Sequence, residues 1–319
     1  MHRMKKIAII GLGLIGSSIA HAARRGGIVA EIAGHDASDD VLARAGVLGF
    51  CDSLHADAVD AVKDADLVIL CTPVGTYKAI AQDIAPHLKP GTILSDVGSV
   101  KSAVIRDIGP FVPKGVHFIP AHPIAGTEFS GPEAGFASLF DGRWAILTPG
   151  KNSDPEAVER LKNFWLALGS QVDVMEAVHH DLVLAVTSHV PHLIAYNIVG
   201  TADDLATVTQ SEVIKFSAGG FRDFTRIAAS DPTMWRDVFL ANKEAVLEML
   251  GTFSEDLSKL TRAIRRNDGE ALFEHFTRTR AIRRGIVEIG QDSAAADFGR
   301  THAGLPAEPL PRPYAADTE

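Results

Sequence analysis

The first half of the chain alternates short apolar runs with longer segments in which apolar residues recur every three or four positions. The apolar runs are rich in Val and Ile, as are strands that are covered on both faces. They predict strands at 7–11, 32–35, 67–71, 92–96, 117–120, 144–147 and 172–175. Helix-length segments lie between several of these strands, for example at 16–25 and 78–87. This repetition predicts an α/β fold with a doubly wound, mostly parallel sheet.

From residue 177 onward, the pattern of apolar and polar positions becomes helical almost throughout. Between 235 and 265, apolar residues recur at spacings of three and four, which is typical of an amphipathic helix. Asp231 followed by Pro232 is a favourable helix start, because Asp caps the N-terminus and Pro fits the first turn. Such a helix, exposed alone, would leave an apolar stripe in water. We therefore expect an all-helical second domain that also dimerises.

These patterns divide the chain into three parts. Residues 1–176 are predicted to form the sheet domain, and residues 177–290 the helical domain. The remaining residues, 291–319, contain four prolines among Ala, Gly and charged residues, which is typical of a flexible tail.

Composition and charge exclude several classes of protein. An apolar share of 46% and a charged share of 22% over 319 residues are those of a globular chain, neither disordered nor collagen-like. The net charge is -9, with 31 Lys and Arg against 40 Asp and Glu. Nucleic acids and anionic membranes attract clustered positive charge, so we expect neither as a partner.

Two features of the sequence bear on where the protein works. The basic N-terminus and the apolar stretch at 7–23 are similar to a secretory signal peptide, but three glycines interrupt the stretch and no cleavage site follows. Cys51 and Cys71 make no disulfide framework, which favours a reducing compartment. We therefore expect a cytoplasmic protein with no membrane span.

A glycine-rich segment follows the first predicted strand and begins a helix. Its residues are Gly11, Leu12, Gly13, Leu14, Ile15 and Gly16. At this spacing the first glycine permits the turn, the second lets the main chain approach a pyrophosphate, and the third lets the helix pack on the strand. The amides at the helix N-terminus then bind the pyrophosphate. In this context the segment predicts a Rossmann-type dinucleotide-binding domain.

An acidic residue after the second strand indicates which dinucleotide binds. Asp36 lies 20 residues after Gly16, where a carboxylate hydrogen-bonds the adenosine ribose hydroxyls and repels a 2′-phosphate. No arginine directly follows it, so the sequence favours NAD over NADP. Thr72 and Pro73 end a later strand, where they either contact the cofactor or simply terminate the strand.

Ser99 and His122 each follow a predicted strand, and open α/β sheets bind ligands at the carboxyl ends of their strands. A hydroxyl and an imidazole there could both reach a substrate hydroxyl beside a nicotinamide. Histidine titrates near neutrality, which suits the acceptor of a proton from an alcohol that loses hydride. A lone histidine is more often structural, and that alternative stays open for His122. The long stretch at 126–143 is a candidate lid.

The helical half adds a histidine cluster and an arginine pair. His189 and His192 share a helical face, whereas His180 is about half a turn out of phase with His189. No carboxylate in the pattern completes a ligand set, so we expect no metal site. Arg222 and Arg226 suit a carboxylate substrate, although solvated loop arginines would give the same pattern.

Together these segments resemble the prephenate/arogenate (cyclohexadienyl) dehydrogenases of tyrosine biosynthesis. The resemblance covers roughly residues 5–285. It is carried by Asp36 and by the segments 11–16, 99–101, 122–128, 188–192, 220–226 and 230–235. It implies NAD-dependent oxidative decarboxylation of prephenate to 4-hydroxyphenylpyruvate, of arogenate to tyrosine, or of both.

The resemblance also implies roles for the residues that match. His122 would be the catalytic acceptor of the hydrogen bond from the substrate ring hydroxyl, with Ser99 beside it. Thr127 and Glu128 would line the pocket, and His192 would contact the substrate.

Three further residues are implied at the substrate side. Arg226 would bind a substrate carboxylate, Asp223 would hold that region in shape, and Trp235 would close the pocket near the dimer partner. The family resemblance implies a homodimer through the helical domain. The short segment after the helices leaves feedback control through a C-terminal regulatory domain doubtful.

Two other interpretations remain open at this point. A β-hydroxyacid dehydrogenase shares the two-domain plan, but such enzymes resemble one another in carrying a catalytic lysine on the first helix of the second domain. No lysine lies between residues 175 and 196. A non-catalytic NAD-binding regulator would leave the joint presence of Ser99, His122 and Arg226 as coincidence.

Overall fold

The computed structural model describes residues 3–204 and 219–288. The chain divides into two compact units, Met1–Thr252 and Phe253–Glu319. The tail predicted at 291–319 lies outside the described residues, as does the segment 205–218 of the predicted helical region.

Two sheets form the framework of the first unit. The strands are β1 (Met4–Ile10), β2 (Val29–His35), β3 (Ser53–His55), β4 (Leu67–Leu70), β5 (Ile93–Asp96), β6 (His117–Phe118), β7 (Ala121–Pro123), β8 (Trp144–Leu147) and β9 (Gln171–Val174). The larger sheet is parallel throughout and has the order β3-β2-β1-β4-β5-β6. The smaller sheet has the order β7-β8-β9, in which β7 is antiparallel to β8 and β9 is parallel to it.

Helices connect the strands and then form most of the second half. They are α1 (Leu14–Gly26), α2 (Asp39–Leu48), α3 (Ala58–Val62), α4 (Tyr77–Ile84), α5 (Ser102–Ile108), α6 (Pro155–Ala167), α7 (Ala177–Leu184), α8 (Val190–Asp203), α9 (Gly219–Thr225), α10 (Pro232–Ala241), α11 (Lys243–Arg265) and α12 (Gly269–Glu288). A π-helical turn, Ala185–His189, joins α7 to α8.

The larger sheet is buried on both faces, as its continuous apolar strands predict. Along β1, Ile7 and Ile9 pack into a cluster with residues of α1 and α6. Their neighbours Ala8 and Ile10 point to the opposite face, because successive side chains of a strand alternate. That second cluster includes Trp235 of α10, so this helix of the second half shares a hydrophobic core with the sheet.

The predicted Rossmann-type parallel sheet and helical second half are confirmed, but the arrangement differs in detail. The strands predicted at 144–147 and 172–175 leave the main sheet and join β7 in the smaller one. The sequence analysis missed β3 and β7, which have only three residues each. The predicted helix at 235–265 is two helices that meet at Asn242. Its start was predicted correctly, since Asp231 Oδ1 accepts the Met234 amide at 2.8 Å.

One helical stretch among the described residues, Ala177–Asp203, is long and apolar enough by length and composition to cross a membrane. A core helix of a protein that is not in a membrane passes the same test. The stretch carries His180, Asp181 and His189, which are buried and bonded within the protein. We therefore interpret it as a helix of the fold.

Candidate active site

The glycine-rich turn lies at the carboxyl end of β1. A side chain would have a different consequence at each of its three glycines. Gly11 has a φ of +101°, and a Cβ there would collide with the Cys71 main chain. A Cβ on Gly16 would collide with the Gly11 carbonyl oxygen. A Cβ on Gly13, at the N-cap of α1, would meet no atom of residues 3–204 or 219–288 within 4 Å. Gly13 is therefore not required by packing within the chain, and it keeps space open in front of the helix amides.

Asp36 and Thr72 border this turn. Asp36 Oδ2 accepts the Leu12 amide at 2.9 Å, and Oδ1 accepts the Ser38 amide at 3.0 Å. The carboxylate therefore ties the end of β2 to the glycine-rich turn and retains lone pairs for a further donor. The Thr72 hydroxyl is 2.8 Å from that of Thr76, which donates to the Pro73 carbonyl at 2.7 Å. The predicted cofactor residues thus lie together at the carboxyl ends of the neighbouring strands β2, β1 and β4.

A fully buried ion pair occupies the end of β5. Lys101 Nζ lies 2.5 Å from Asp96 Oδ2 and donates to the Ala121 carbonyl at 2.6 Å. Asp96 Oδ1 in turn accepts the Ala121 amide at 3.2 Å. Burial raises the pKa of Asp96 and lowers that of Lys101, and the attraction between the two opposes both changes. The pair fixes both main-chain groups of Ala121, the residue that precedes His122.

His122 lies on β7, where it is buried and forms the first of three linked polar groups. Its Nδ1 is 2.9 Å from His180 Nε2, and His180 Nδ1 is 2.9 Å from Asp181 Oδ1. Asp181 also accepts the main-chain amides of Lys101 at 2.7 Å and of Ser102 at 2.8 Å. His122 was predicted to follow the end of a strand; it lies within a strand, because β7 pairs with β8.

The protonation of this group follows from its environment. The pKa of His122 lies well below the usual histidine value because burial disfavours the imidazolium, and positive charge on His180 or Lys101 adds to the effect. Burial acts to raise the pKa of Asp181, but hydrogen bonds with His180 and the Ser102 amide lower it overall. At neutral pH, His122 is therefore neutral and Asp181 is ionised.

Asn242 and His189 lie next to Asp181 and extend the hydrogen-bond network. Asn242 Nδ2 donates to the Asp181 carbonyl at 2.8 Å and is 3.1 Å from His189 Nδ1. His189 also lies beside the main chain of Ser99, whose side chain is half-buried. Burial lowers the pKa of His189 to about 4. These contacts place the main chain of Ser99 next to His189.

A second polar group contains the predicted substrate residues. The rings of His192 and Trp235 stack with centroids 3.7 Å apart, and His192 Nδ1 donates to the Ser188 carbonyl at 2.8 Å. The nearby positive charge of Arg226 contributes to the low pKa of His192, after the larger effect of burial. Arg226 Nη1 is 3.1 Å from Glu128 Oε2. The His189 and Trp235 rings, 6.1 Å apart, connect this group to the first.

The remaining predicted site residues are placed less centrally. The Thr127 hydroxyl accepts the Phe129 amide at 3.3 Å, on the same loop as Glu128. Asp223 lies on α9 with its side chain 65% exposed, 3.5 Å from the neighbouring Arg222. The stretch at 126–143, a candidate lid, has its later part packed on α1 and α2, where Phe136 donates its amide to Ser18 Oγ at 3.1 Å.

Several residues of this site carry chemistry that the sequence analysis did not assign. They are Asp96, Lys101, His180, Asp181, His189 and Asn242. His180 was considered only as a metal ligand lacking a carboxylate, although the next residue is Asp181. Among the described residues, no group of three His, Cys, Asp or Glu side chains is arranged to hold a metal ion.

Comparisons with known proteins identify the family. A family model described as "Prephenate dehydrogenase, nucleotide-binding domain" matches residues 19–174. A second, described as "Prephenate dehydrogenase, dimerization domain", matches residues 176–278. Together they cover most of the chain. This chain belongs to the prephenate dehydrogenase family.

Individual members of the family align along almost the whole chain. The cyclohexadienyl dehydrogenase of Zymomonas mobilis is 43% identical over 88% of this chain and 95% of its own length. The prephenate dehydrogenase of Bacillus subtilis is 34% identical over 97% of this chain and 83% of its own.

A solved structure of the same family is also similar. Prephenate dehydrogenase from Aquifex aeolicus, in complex with hydroxyphenyl propionate and NAD+, superposes with a TM-score of 0.82 at 36% identity. The match covers 89% of this chain and 98% of that one. These likenesses favour the prephenate dehydrogenase interpretation over the β-hydroxyacid dehydrogenase and the non-catalytic regulator.

Proposed function

We propose that this protein catalyses the NAD-dependent oxidative decarboxylation of prephenate to 4-hydroxyphenylpyruvate, of arogenate to tyrosine, or of both. The observation that carries the proposal is the buried, neutral His122, connected through the His189 and Trp235 rings to Arg226. An imidazole that accepts a proton and a guanidinium that binds a carboxylate are the two groups that this reaction requires.

NAD is the cofactor that the dinucleotide site fits. The amides that begin α1 and the open space at Gly13 would hold the pyrophosphate, and Asp36 would accept the adenosine ribose hydroxyls. Leu12, Leu14 and Ile15 would line the turn, and Thr72 and Pro73 would lie along the nicotinamide side. The bound nicotinamide supplies a hydride acceptor.

The chemistry of the chain itself centres on His122. Its neutral imidazole accepts the proton of the substrate ring hydroxyl as hydride leaves the carbinol carbon, and Ser99 assists in holding that hydroxyl. Loss of the ring carboxylate as CO2 then supplies the electron pair that completes the aromatic ring. Aromatisation provides the driving force. A positioned general base of this kind contributes about 10²–10⁴ in rate.

The second group holds the substrate in register for this step. Arg226 binds a substrate carboxylate in place of its contact with Glu128, and His192, stacked on Trp235, keeps Nε2 free for the substrate because its Nδ1 already donates. Thr127 lines the same pocket. We assign Asp223 to shaping the Arg226 region.

The remaining expectations concern assembly and location. We propose a homodimer through the helical domain, with 1–176 as the NAD-binding domain and 177–290 as the substrate and dimerisation domain. The boundary agrees with the family models, which change at residues 174–176. We place the protein in the cytoplasm, with Cys51 and Cys71 as free thiols.

A direct assay tests the proposal. Purified protein is mixed with NAD+ or NADP+ and with prephenate or arogenate, and the absorbance of the reduced nicotinamide is followed at about 340 nm. We expect turnover with NAD+ and at least one of the two substrates, with release of CO2. Absence of turnover in all four combinations, with a folded protein that binds NAD+, would refute the proposed activity.

A further inference from the structure

The hydrogen-bond network behind His122 restricts where protons lie on two histidines. An ionised carboxylate only accepts hydrogen bonds, so the 2.9 Å contact with Asp181 requires the proton of His180 to be on Nδ1. The Nε2 of a neutral His180 is then an acceptor. The 2.9 Å contact between this atom and His122 Nδ1 requires that Nδ1 of His122 carries a proton. His122 Nε2 is left with a free lone pair.

We infer that His180 and Asp181 are positioning residues that select the Nδ1-protonated tautomer of His122 and so leave its Nε2 free to accept the substrate proton. The inference rests on the proposed function only where it says that the accepted proton comes from the substrate. The selection of the tautomer does not depend on that function. A histidine without such partners populates both tautomers, and the Nε2-protonated form cannot accept a proton from substrate.

Hydrogen bonds to the main chain fix both ends of the series His122–His180–Asp181. Asp181 accepts the Lys101 and Ser102 amides at the start of α5, and Asn242 donates a hydrogen bond to the Asp181 carbonyl. At the other end, the Lys101 side chain and Asp96 fix the main chain of Ala121 beside His122. Lys101 therefore donates its amide to Asp181 at one end and its ammonium group to the Ala121 carbonyl, next to His122, at the other.

The arrangement also predicts how acid inactivates the site. Protonation of His180 would turn its Nε2 into a donor, which opposes the proton on His122 Nδ1. The groups that face His180 are Asp181 on its own helix, His122 on β7, His189 on the π-helical turn, Lys101 at the start of α5 and Asp96 at the end of β5. Asp181 and Asp96 favour the charged form of His180, whereas burial and Lys101 disfavour it, and burial has the largest effect. We expect kcat to fall on the acid side as His180 or His122 gains a proton.

Two substitutions at His180 separate hydrogen bonding from packing. His180→Gln keeps one acceptor for His122 and one donor for Asp181, so we expect kcat within about threefold of the original. His180→Leu keeps bulk but removes both, and we expect kcat to fall by at least about tenfold with KM little changed, because substrate contacts lie elsewhere. His179→Gln, at the exposed neighbouring position, is the matched control and should leave kcat unchanged.

The tautomer is read directly by NMR of protein labelled with ¹⁵N-histidine, without substrate. We expect His122 to show a protonated Nδ1 and a bare Nε2, assigned by the loss of its signals in His122→Asn. In His180→Leu we expect a mixture of tautomers, and in His180→Gln the original one. A bare Nδ1 on His122 in the unsubstituted protein would overturn the inference.

The activity arm has its own refuting result. A folded His180→Leu protein with unchanged kcat and pH profile would show that the series does not position His122. A protein that turns over neither prephenate nor arogenate, yet shows the expected tautomer, would refute the proposed function and leave the tautomer selection standing. Loss of folding in His180→Leu would leave the decision to the Gln variant and to the NMR spectrum of the original chain.

Discussion

His122 has the properties of a proton acceptor because of where it lies. Burial keeps the imidazole neutral at neutral pH, so it can accept a proton there. Asparagine has nearly the same size and keeps a donor and an acceptor, but it is not a base. The two side chains differ, therefore, mainly in the ability to take a proton.

We predict that His122→Asn lowers kcat by about 10²–10⁴, the usual contribution of a general base. NAD+ affinity should stay within about twofold, since no contact of His122 with the glycine-rich turn is needed for binding. Stopped-flow turnover and fluorescence titration with NAD+ measure the two quantities. His117→Asn, on neighbouring β6, is the control. Full turnover in His122→Asn would remove His122 from the mechanism.

Arg226 differs from His122 in that its charge acts on the bound substrate as a whole. Its guanidinium lies 3.1 Å from a Glu128 carboxylate oxygen, so a substrate carboxylate could take the place of this contact. We predict that Arg226→Ala raises KM by at least about tenfold and lowers kcat much less, as expected for uniform binding. Arg222→Ala, a largely exposed arginine four residues earlier, should change neither constant. A fall in kcat alone would indicate that Arg226 acts in the transition state instead.

At the scale of elements, the end of β2 determines the choice of cofactor. The Asp36 carboxylate would repel a 2′-phosphate, and it also accepts the Leu12 amide. We predict that Asp36→Ser raises the ratio of kcat/KM for NADP+ to that for NAD+ by at least about tenfold, which corresponds to about 1.4 kcal/mol. Initial rates at 340 nm with each cofactor give the ratio. Asp39→Ser, at the exposed start of α2, is the control and should leave this ratio unchanged. An unchanged ratio in Asp36→Ser would contradict the proposed role of Asp36 in cofactor choice.

Elements with a strong local pattern could be predicted from the sequence. Strands such as β4, with four buried apolar residues, and the α10 start at Asp231 depend on neighbouring positions only. The glycine-rich turn is recognisable for the same reason, because its steric requirements fall on residues that are close in sequence.

The missed features depend on contacts between distant residues. β7 has three residues, and its pairing with β8 joins positions about 24 apart along the chain. His122 and His180 are 58 residues apart, so neither sequence neighbourhood indicates the bond between them. No role was predicted for Asp96 or Lys101, and the fold brings both into a fully buried pair. The sequence thus indicated candidate catalytic residues, but it did not indicate the hydrogen-bond network around them.

At the scale of the whole molecule, apolar side chains on α12 point to assembly. Phe273 and Phe276 are three positions apart and largely exposed, so they share one face of that helix. The region matches the dimerization model of the family. We predict that Phe276→Glu shifts the protein in sedimentation velocity from the mass of two chains toward that of one, because a buried charge disfavours an apolar interface.

Two results would contradict this. A monomeric original protein would refute the dimer, and a variant as dimeric as the original would place the interface elsewhere. Glu274→Gln, on the same helix, is the control for a change of charge at an exposed position.

The buried histidines also make the stability of the fold depend on pH. Burial lowers the pKa of His122, His180 and His189 in the folded chain, so the unfolded chain, with histidines near 6.5, binds more protons. Their effect is absent above about pH 6.5, and stability is lost as pH falls below it. For His189, with a pKa of about 4, the loss at pH 5 is about 2 kcal/mol. Carboxylates titrate mostly below this window.

We therefore predict that the urea midpoint of unfolding, at fixed protein concentration, falls between pH 6.5 and pH 5. His189→Gln should lower the midpoint at neutral pH, because it disturbs contacts with Asn242, but should reduce its dependence on pH. His87→Gln, at an exposed position, should keep the original dependence. The change of the midpoint with pH is the decisive quantity, because any destabilising substitution lowers the midpoint itself. A midpoint that is constant between pH 6.5 and pH 5 would contradict this prediction. It would mean that these histidines are protonated as easily in the folded chain as in the unfolded one. His122 would then be a cation at pH 5 and could not accept a proton there.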